Sequence, residues 1–499
     1  MIIHGKEVKE KLLQGINLVA DTVKPTLGPQ AKTVILQGNP PVIINDGVTI
    51  TKYISHPDPY VSLGVKMVQN LAMQAQQNAG DGTTTACIIA QALCNGLAKL
   101  DATDLHHLRL EMESIRNTVL NNLSDQAIEV TDETIIDVAT IASNNDVKMG
   151  KLIAEVLSHV GKDGVITVEE GNQLETSYEV KEGLEVDEGY FSHLMANDPS
   201  GVCELRNPLV LATNMHLTNF SDLLPVLELA SAQGKPILIF CKNIQGPALN
   251  NTIMNIVDGR IQACIVTAPN FGDAQLDELG DIVSLLGGNV FSDENNSDIS
   301  KVTLEDLGTC EKAIITSSNT TLIGGEGDVS DKISSLKSRY EEIETNYDRM
   351  RIKKRLSRLQ GGVAVITVGA GSSMEMRETK ERLDDALNAT KAALQEGIVL
   401  GAGRALWDAS KELDIDGNVE LNRIVIDSLK APHLILSGDV DSVQLKGTIG
   451  WNAVKGEYVD LLEDGIIDPV KVTKSSFSVA MSIAMLFLTT EVAVLLPEE

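Results

Sequence analysis

At 499 residues the chain is too long for one hydrophobic core, and two or three domains are expected. Hydrophobic residues make up 43% and charged residues 22%, the balance of a water-soluble globular protein; with 3% aromatics, the cores must rest on Leu, Ile, Val, Ala and Met. The net charge of −29 argues against a nucleic-acid surface, which needs a basic footprint.

The opening MIIHGKEVKEK has no apolar stretch, so no signal peptide is read there. Six cysteines, at 87, 94, 203, 241, 264 and 310, include no CxxC pair, and several lie in apolar runs. Buried free thiols in a reducing cytoplasm are expected. Val8, Leu12, Leu13, Ile16, Val19, Ala20 and Val23 keep a helical period, which Pro25 ends. KTVILQ and PPVIIND predict short strands around a Gly-Asn turn. A helix follows over about 63–78, then the stretch GDGTTT, then a helix over 104–123.

From about 128 to 182 GVITVEEG and ETSYEVKEGLEVDEGY alternate apolar and acidic residues, which suits strands with one wet face. Between 183 and 363 strands such as PILIF and ACIVTA alternate with helices such as FSDLLPVLELASAQ, an α/β pattern. Over 329–359, Ile333, Leu336, Tyr340, Ile343, Tyr347 and Met350 recur by threes and fours. A packed helical hairpin broken near Asn346 is favoured over an intermolecular coiled coil. GGVAVITVG is a strand, and from about 378 the chain is helical again. FSVAMSIAMLFLTTEVAVLL, 477–496, could span a bilayer by length, but it carries Glu491, two Ser and two Thr. A fully buried helix is expected there, and no membrane partner.

The order helical, mixed, α/β, mixed, helical predicts a central α/β domain inserted into a helical one. The boundaries read as 1–127, 128–182, 183–363, 364–395 and 396–499. Gly183 and the pair Gly361 and Gly362 stand at the junctions of the α/β block, as hinges or as ordinary turns.

GDGTTT raises a chemical question, because three β-branched residues open an apolar helical run. A helix N-terminus offers unpaired N–H groups and partial positive charge. A glycine there admits a phosphate close to the backbone, and threonine hydroxyls and an aspartate add donors and a cation ligand. The alternative is a plain helix capped by Asp81 or Thr83. There is no GxxxxGK[ST], so this is not a P-loop. TLGP (26–29), NDG (45–47), LGAGRAL (400–406), GWNA (450–453) and IIDP (466–469) add turns, an amide and carboxylates, each weak alone.

Together these motifs carry a resemblance. TLGP, AGDGTTTA, VGKDGVITVEEG, TAPNFGD, LEDLG, GGVAVITVG, DALNATKAALQEGIV and DPVKVT resemble, in order and near spacing, those of a group I (bacterial GroEL-type) chaperonin over essentially the whole chain. The resemblance implies the multidomain α and α/β chaperonin fold: a mostly helical equatorial ATPase domain from both chain ends, a small α+β intermediate domain and an inserted α/β apical domain. It implies ATP and Mg²⁺ as cofactors, with K⁺ as a further cation. Asp81, Gly82, Thr83, Thr84 and Thr85 would hold the phosphates, with Asp81 as the Mg²⁺ ligand and Thr26, Leu27, Gly28 and Pro29 opposite. Asn452, Ala453, Val454 and Asp468 would hold the adenosine. Asp385 would activate the attacking water from a separate domain, making hydrolysis depend on closure, and Asp46 would be a second acid near the γ-phosphate.

Asn45 departs from the family's lysine, Ala402 from the middle glycine of its GGG and Val454 from an alanine, which bears on turnover more than on binding. The chain reads as a divergent member, such as a paralogue or a virus-encoded version. The family's client-binding positions fall on Tyr190, Leu194, Met195, Leu224, Leu227, Leu249, Ile253 and Met254, expected as an exposed apolar groove that binds non-native chains and a co-chaperonin lid. A homo-oligomeric ring, of seven subunits, is implied. The rival is a passive client-holding or scaffolding ring with weak ATP turnover.

Overall fold

The computed structural model describes all residues except 1, 30–31, 38–41, 45, 101–103, 162–163, 172, 199, 293, 295–296, 343–344, 414–417, 439–444 and 496–499. The chain divides into two compact units: Met1–Glu155 with Ala370–Glu499, and the continuous segment Val156–Gly369. The α/β segment expected over 183–363 lies inside the second.

The first unit is built from long helices. Lys6–Val23 buries Val8, Leu12, Ile16, Val19, Ala20 and Val23, the predicted stripe, against Pro59–Ala79. The two backbones approach so closely that a Cβ on Gly15 or Gly64 would collide with the carbonyl of Val61 or Leu12. Val470–Thr489 packs against Thr83–Leu97, Leu105–Asp125 and Pro59–Ala79, burying Phe477, Ala480, Met481, Ala484 and Phe487. Among the described residues it is the one helix long and apolar enough to cross a membrane, yet about two-thirds of that stretch is buried in protein, as a core helix would be. It stops at Thr489, sooner than the apolar run suggested. Val492–Val494 then pairs antiparallel with Ile2–His4, joining the two ends of the chain.

The segment 128–182 is mixed, and its helices come first. Asp132–Ala142 and Val147–Val160 are helices, the first opened by a capping box in which Thr131 accepts from the Thr134 amide. Strands begin only at Val165–Glu170, which pairs with Val363–Val368 and, beyond it, Ser177–Lys181.

The second unit holds an eight-stranded mixed sheet in the order Ala263–Thr267, Ile237–Cys241, Leu209–Thr213, Gly308–Ile315, Thr320–Gly325 and Gly183–Val186, with Val290–Phe291 and Cys203–Arg206 paired off this path. Leu209–Thr213 and Ile237–Cys241 are buried at every residue, so they read as unbroken apolar runs. All six cysteines are free and buried. The helices Ser330–Glu342 and Asn346–Gly361 pack on one another as the expected hairpin. Arg355 ties the hairpin to Asp273–Leu286, its Nε and a terminal nitrogen lying 2.6 and 2.8 Å from the two oxygens of Asp281.

Gly183, Gly361 and Gly362 all lie inside the second unit. A Cβ on Gly183 would lie 2.5 Å from the Leu322 carbonyl oxygen across the sheet. Gly361 closes the helix Asn346–Gly361, and Gly362 follows at φ +64°.

Candidate functional site

A cavity of about 430 Å³ opens within the first unit. Every described residue that the resemblance assigned to nucleotide or catalysis lines it: Thr26, Leu27, Gly28 and Pro29; Asp46; Asp81, Gly82, Thr83, Thr84 and Thr85; Asp385; Ala402; and Asn452, Ala453, Val454 and Asp468. Asn45 lies outside the described residues.

The helix Thr83–Leu97 starts at the cavity without a side-chain cap, so the plain capped-helix alternative does not describe it. Gly82 sits at φ +86°, and a Cβ there would strike the Ser476 hydroxyl. Ser476 Oγ instead donates to the Gly82 carbonyl at 3.0 Å. The Gly82 amide donates to Asp81 Oδ1 at 2.5 Å. Thr84 and Thr26 share a hydroxyl–hydroxyl hydrogen bond of 3.0 Å, joining two cavity walls. The Thr83 hydroxyl is buried and has no partner among the described residues. A buried donor at a helix start with free amides has the chemistry to receive an anion.

Carboxylates crowd the same space. Asp81, Asp385 and Asp468 all line it and are half-buried, and their surroundings strip away solvation. Burial, and then the Asp81 charge, push Asp468 up to about 7. Burial, then Asp81 and Asp46, hold Asp385 well above the usual carboxylate range, partly offset by Gln76 Nε2 at 3.5 Å. Burial raises Asp81, the Gly82 amide opposes it, and Asp46 adds to it. Such a cluster of like charges favours a bound cation. Among the described residues no group of three or more metal-ligating side chains exists, so a metal would take its other ligands from bound phosphate and water. Asp46 already serves structure, since its oxygens accept from the Val48 and Thr49 amides and cap Gly47–Tyr53.

Asp385 lies on the helix Ser373–Glu396, which belongs to the first unit. The carboxylate expected on a separate domain is already part of the cavity wall.

Ala402 adopts φ +54°, a left-handed conformation that costs an alanine roughly 1 kcal/mol more than a glycine. His433 holds the turn, with Nδ1 3.0 Å from the Ala402 carbonyl. Ala402→Gly is expected to raise the melting temperature of the first unit by about 2–4 °C. A lowered melting temperature in calorimetry would refute the strain.

Sequence reasoning missed several lining residues: Asp137, Thr140, Asn144 and Asn145 from the helix Asp132–Ala142 and its exit, and Pro432 and Leu436 from Val419–Ser437. It also missed Glu378, Glu381 and Arg382, whose spacing with Asp385 marks one helix face in ETKERLDDAL.

The second unit carries the apolar set, and here the expected exposure needs correction. Met195 and Leu227 are core residues, 1% and 5% exposed. The helix Phe220–Gln233 turns Leu223, Val226, Leu227 and Ala230 inward as one stripe, leaving Leu224 at its edge. Met195 Sδ accepts from the Ile265 amide at 3.4 Å. Leu249 and Ile253 are half-buried against the core, and the Tyr190 hydroxyl donates to the Gly201 carbonyl at 3.0 Å. Leu194, Leu224 and Met254 are exposed, joined by Val257. Their elements touch, since Gly246–Val257 packs against both Phe220–Gln233 and the turn at 193–195.

The fold resembles that of the chaperonin gp146 from bacteriophage EL 2 (Pseudomonas aeruginosa), crystallised with ATP-BeFx. One crystal form matches at a TM-score of 0.75, with 20% identity over 100% of both chains. A second matches at 0.67, again at 20% identity, over 100% of this chain and 99% of that one. A sequence profile of the TCP-1/cpn60 chaperonin family matches residues 19–495. The chain belongs to the TCP-1/cpn60 chaperonin family.

Proposed function

We propose that this chain is an ATP-hydrolysing chaperonin of the group I type, which captures non-native proteins and promotes their folding in a homo-oligomeric ring. The observation that carries the reading is the cavity itself, where an uncapped helix start with an orphaned Thr83 hydroxyl faces sequestered carboxylates. The phage relative crystallised with ATP-BeFx supports a nucleotide there. Leu194, Leu224, Met254 and Val257 offer deformable apolar contacts to a client or a lid. The ring, of seven subunits, rests on the resemblance to group I chaperonins.

The amides of Thr83, Thr84 and Thr85 receive phosphate oxygens. Asp385 accepts the proton of a water whose oxygen bonds to the γ-phosphorus as the bond to the bridging oxygen breaks, leaving ADP and phosphate. Mg²⁺, held by Asp81, would neutralise phosphate charge. A passive ring with weak turnover is the second reading, and the strained Ala402 turn at the cavity favours it.

Asp81→Ala is expected to weaken Mg-ATP binding by about 10- to 100-fold, the order seen when support for a metal is lost. Isothermal titration decides it. Wild-type affinity in the variant would remove the cation role. Wild-type protein that binds but does not turn over ATP would select the passive ring.

A further inference from the structure

On the helix Ser373–Glu396, positions 378, 381, 382 and 385 form one face toward the cavity. Three are acids, and Arg382 is the exception. Its Nε is buried and has no hydrogen-bond partner among the described residues. The nearest acid, Glu378 Oε1, is 3.8 Å away, an ion-pair distance too long for a hydrogen bond. A guanidinium is a rigid fork of donors, and leaving its nitrogen unsatisfied in a protein wall is costly.

Among the described residues only one other cation lines the cavity, Lys455. It is engaged elsewhere, with Nζ 2.7 Å from Asp464, which also accepts from Asn452 at 3.0 Å. The position before Asp46 carries Asn45 and supplies no charge. A polyphosphate entering this cavity would meet one uncommitted cation.

We propose that Arg382 is the γ-phosphate ligand that stabilises phosphoryl transfer, acting one helical turn from Asp385. This rests on the ATP-hydrolysing reading above. As the water oxygen bonds to phosphorus and the bridging bond breaks, negative charge spreads over the transferring oxygens. Two parallel N–H groups of the guanidinium match those oxygens, a geometry that a lysine lacks. The arginine leaves its loose pair with Glu378 to make these contacts.

The test uses full-length wild type, R382A and R382K. Turnover, Mg-ADP affinity and affinity for Mg-ADP with fluoroaluminate, a mimic of the transferring phosphoryl group, are measured alongside melting temperature. R382A should lose about 10³-fold in turnover, and comparably in fluoroaluminate-complex affinity. Its Mg-ADP affinity should stay within about threefold, with partial recovery of turnover on adding millimolar ethylguanidinium. R382K, which keeps stem and charge, should fold normally and still lose at least about tenfold in turnover. Wild-type turnover in R382A, or parallel loss of ADP and fluoroaluminate affinity, would overturn the proposal. Should R382A fail to fold, wild-type turnover in R382K would overturn it. An inactive, non-binding wild type would overturn the nucleotide reading itself, whereas an active wild type with an active R382A removes only the arginine's role.

Discussion

Asp385→Asn is expected to slow ATP hydrolysis by roughly 10²–10⁴-fold, the usual cost of losing a general base. Mg-ATP affinity should stay within about threefold, because the phosphate donors lie on another helix. The environment of Asp385 sharpens the expectation. Burial and the charges of Asp81 and Asp46 hold its carboxyl above the usual range, and a base must be ionised to act. Wild-type turnover should therefore fall on acidification at a higher pH than an exposed aspartate would dictate. The variant should lose that acid limb along with its rate. Stability moves the other way. A carboxyl with a raised folded pKa contributes stability that is present below its unfolded pKa and lost as pH rises through the folded one. At neutral pH, without nucleotide, Asp385→Asn should melt higher than wild type. Phosphate-release kinetics and scanning calorimetry across pH measure both, and unchanged turnover would exclude Asp385 from the chemistry.

Leu227→Ser should unfold the second unit rather than spoil a binding surface. Leu227 is 5% exposed in the main core of that unit. Truncating a buried leucine costs about 2–5 kcal/mol, and a buried hydroxyl adds roughly 1–3 kcal/mol. The contrast is the double variant Leu224→Ser, Met254→Ser, whose side chains are exposed and whose melting should shift little. Its loss should appear in capture of a permanently unfolded, alkylated protein, each anchor contributing roughly 1.5–3 kcal/mol when covered. Denaturant unfolding and client sedimentation separate the two effects. Normal melting of Leu227→Ser would return that residue to the surface.

Those two variants mark where the sequence was legible. Val8 to Val23 declared a helix face because one stripe is buried and nothing competes with it. GDGTTT was readable because its residue types suit an open helix start, and the resemblance favoured that over a plain capped helix. The set around Leu227 was not, because periodicity says which residues share a face and not which way it turns. Leu224 and Leu227 are three apart, yet only Leu227 turns into the core. The helices Asp132–Ala142 and Val147–Val160 were not placed within the mixed segment, whose clearest pattern is the alternation of the strands after them. Asp137 and Asn144 join the cavity through tertiary approach: a Cβ on Gly465 would lie 2.7 Å from the Asp137 carboxyl carbon, and no local pattern encodes that proximity.

The position of Val470–Thr489 sets the order in which this protein can be made. The segment Val156–Gly369 is whole before any residue after 369 leaves the ribosome, so the second unit can fold early. The first unit cannot. Its helices Pro59–Ala79, Thr83–Leu97 and Leu105–Asp125 pack on a helix translated only after the whole second unit. Until then Ala86, Ile89, Ala90 and Leu93 lack part of the layer that finally covers them. Contacts spanning almost the whole chain close slowly, and uncovered apolar faces invite aggregation in the interval. The first unit thus stays open until after the second has been made.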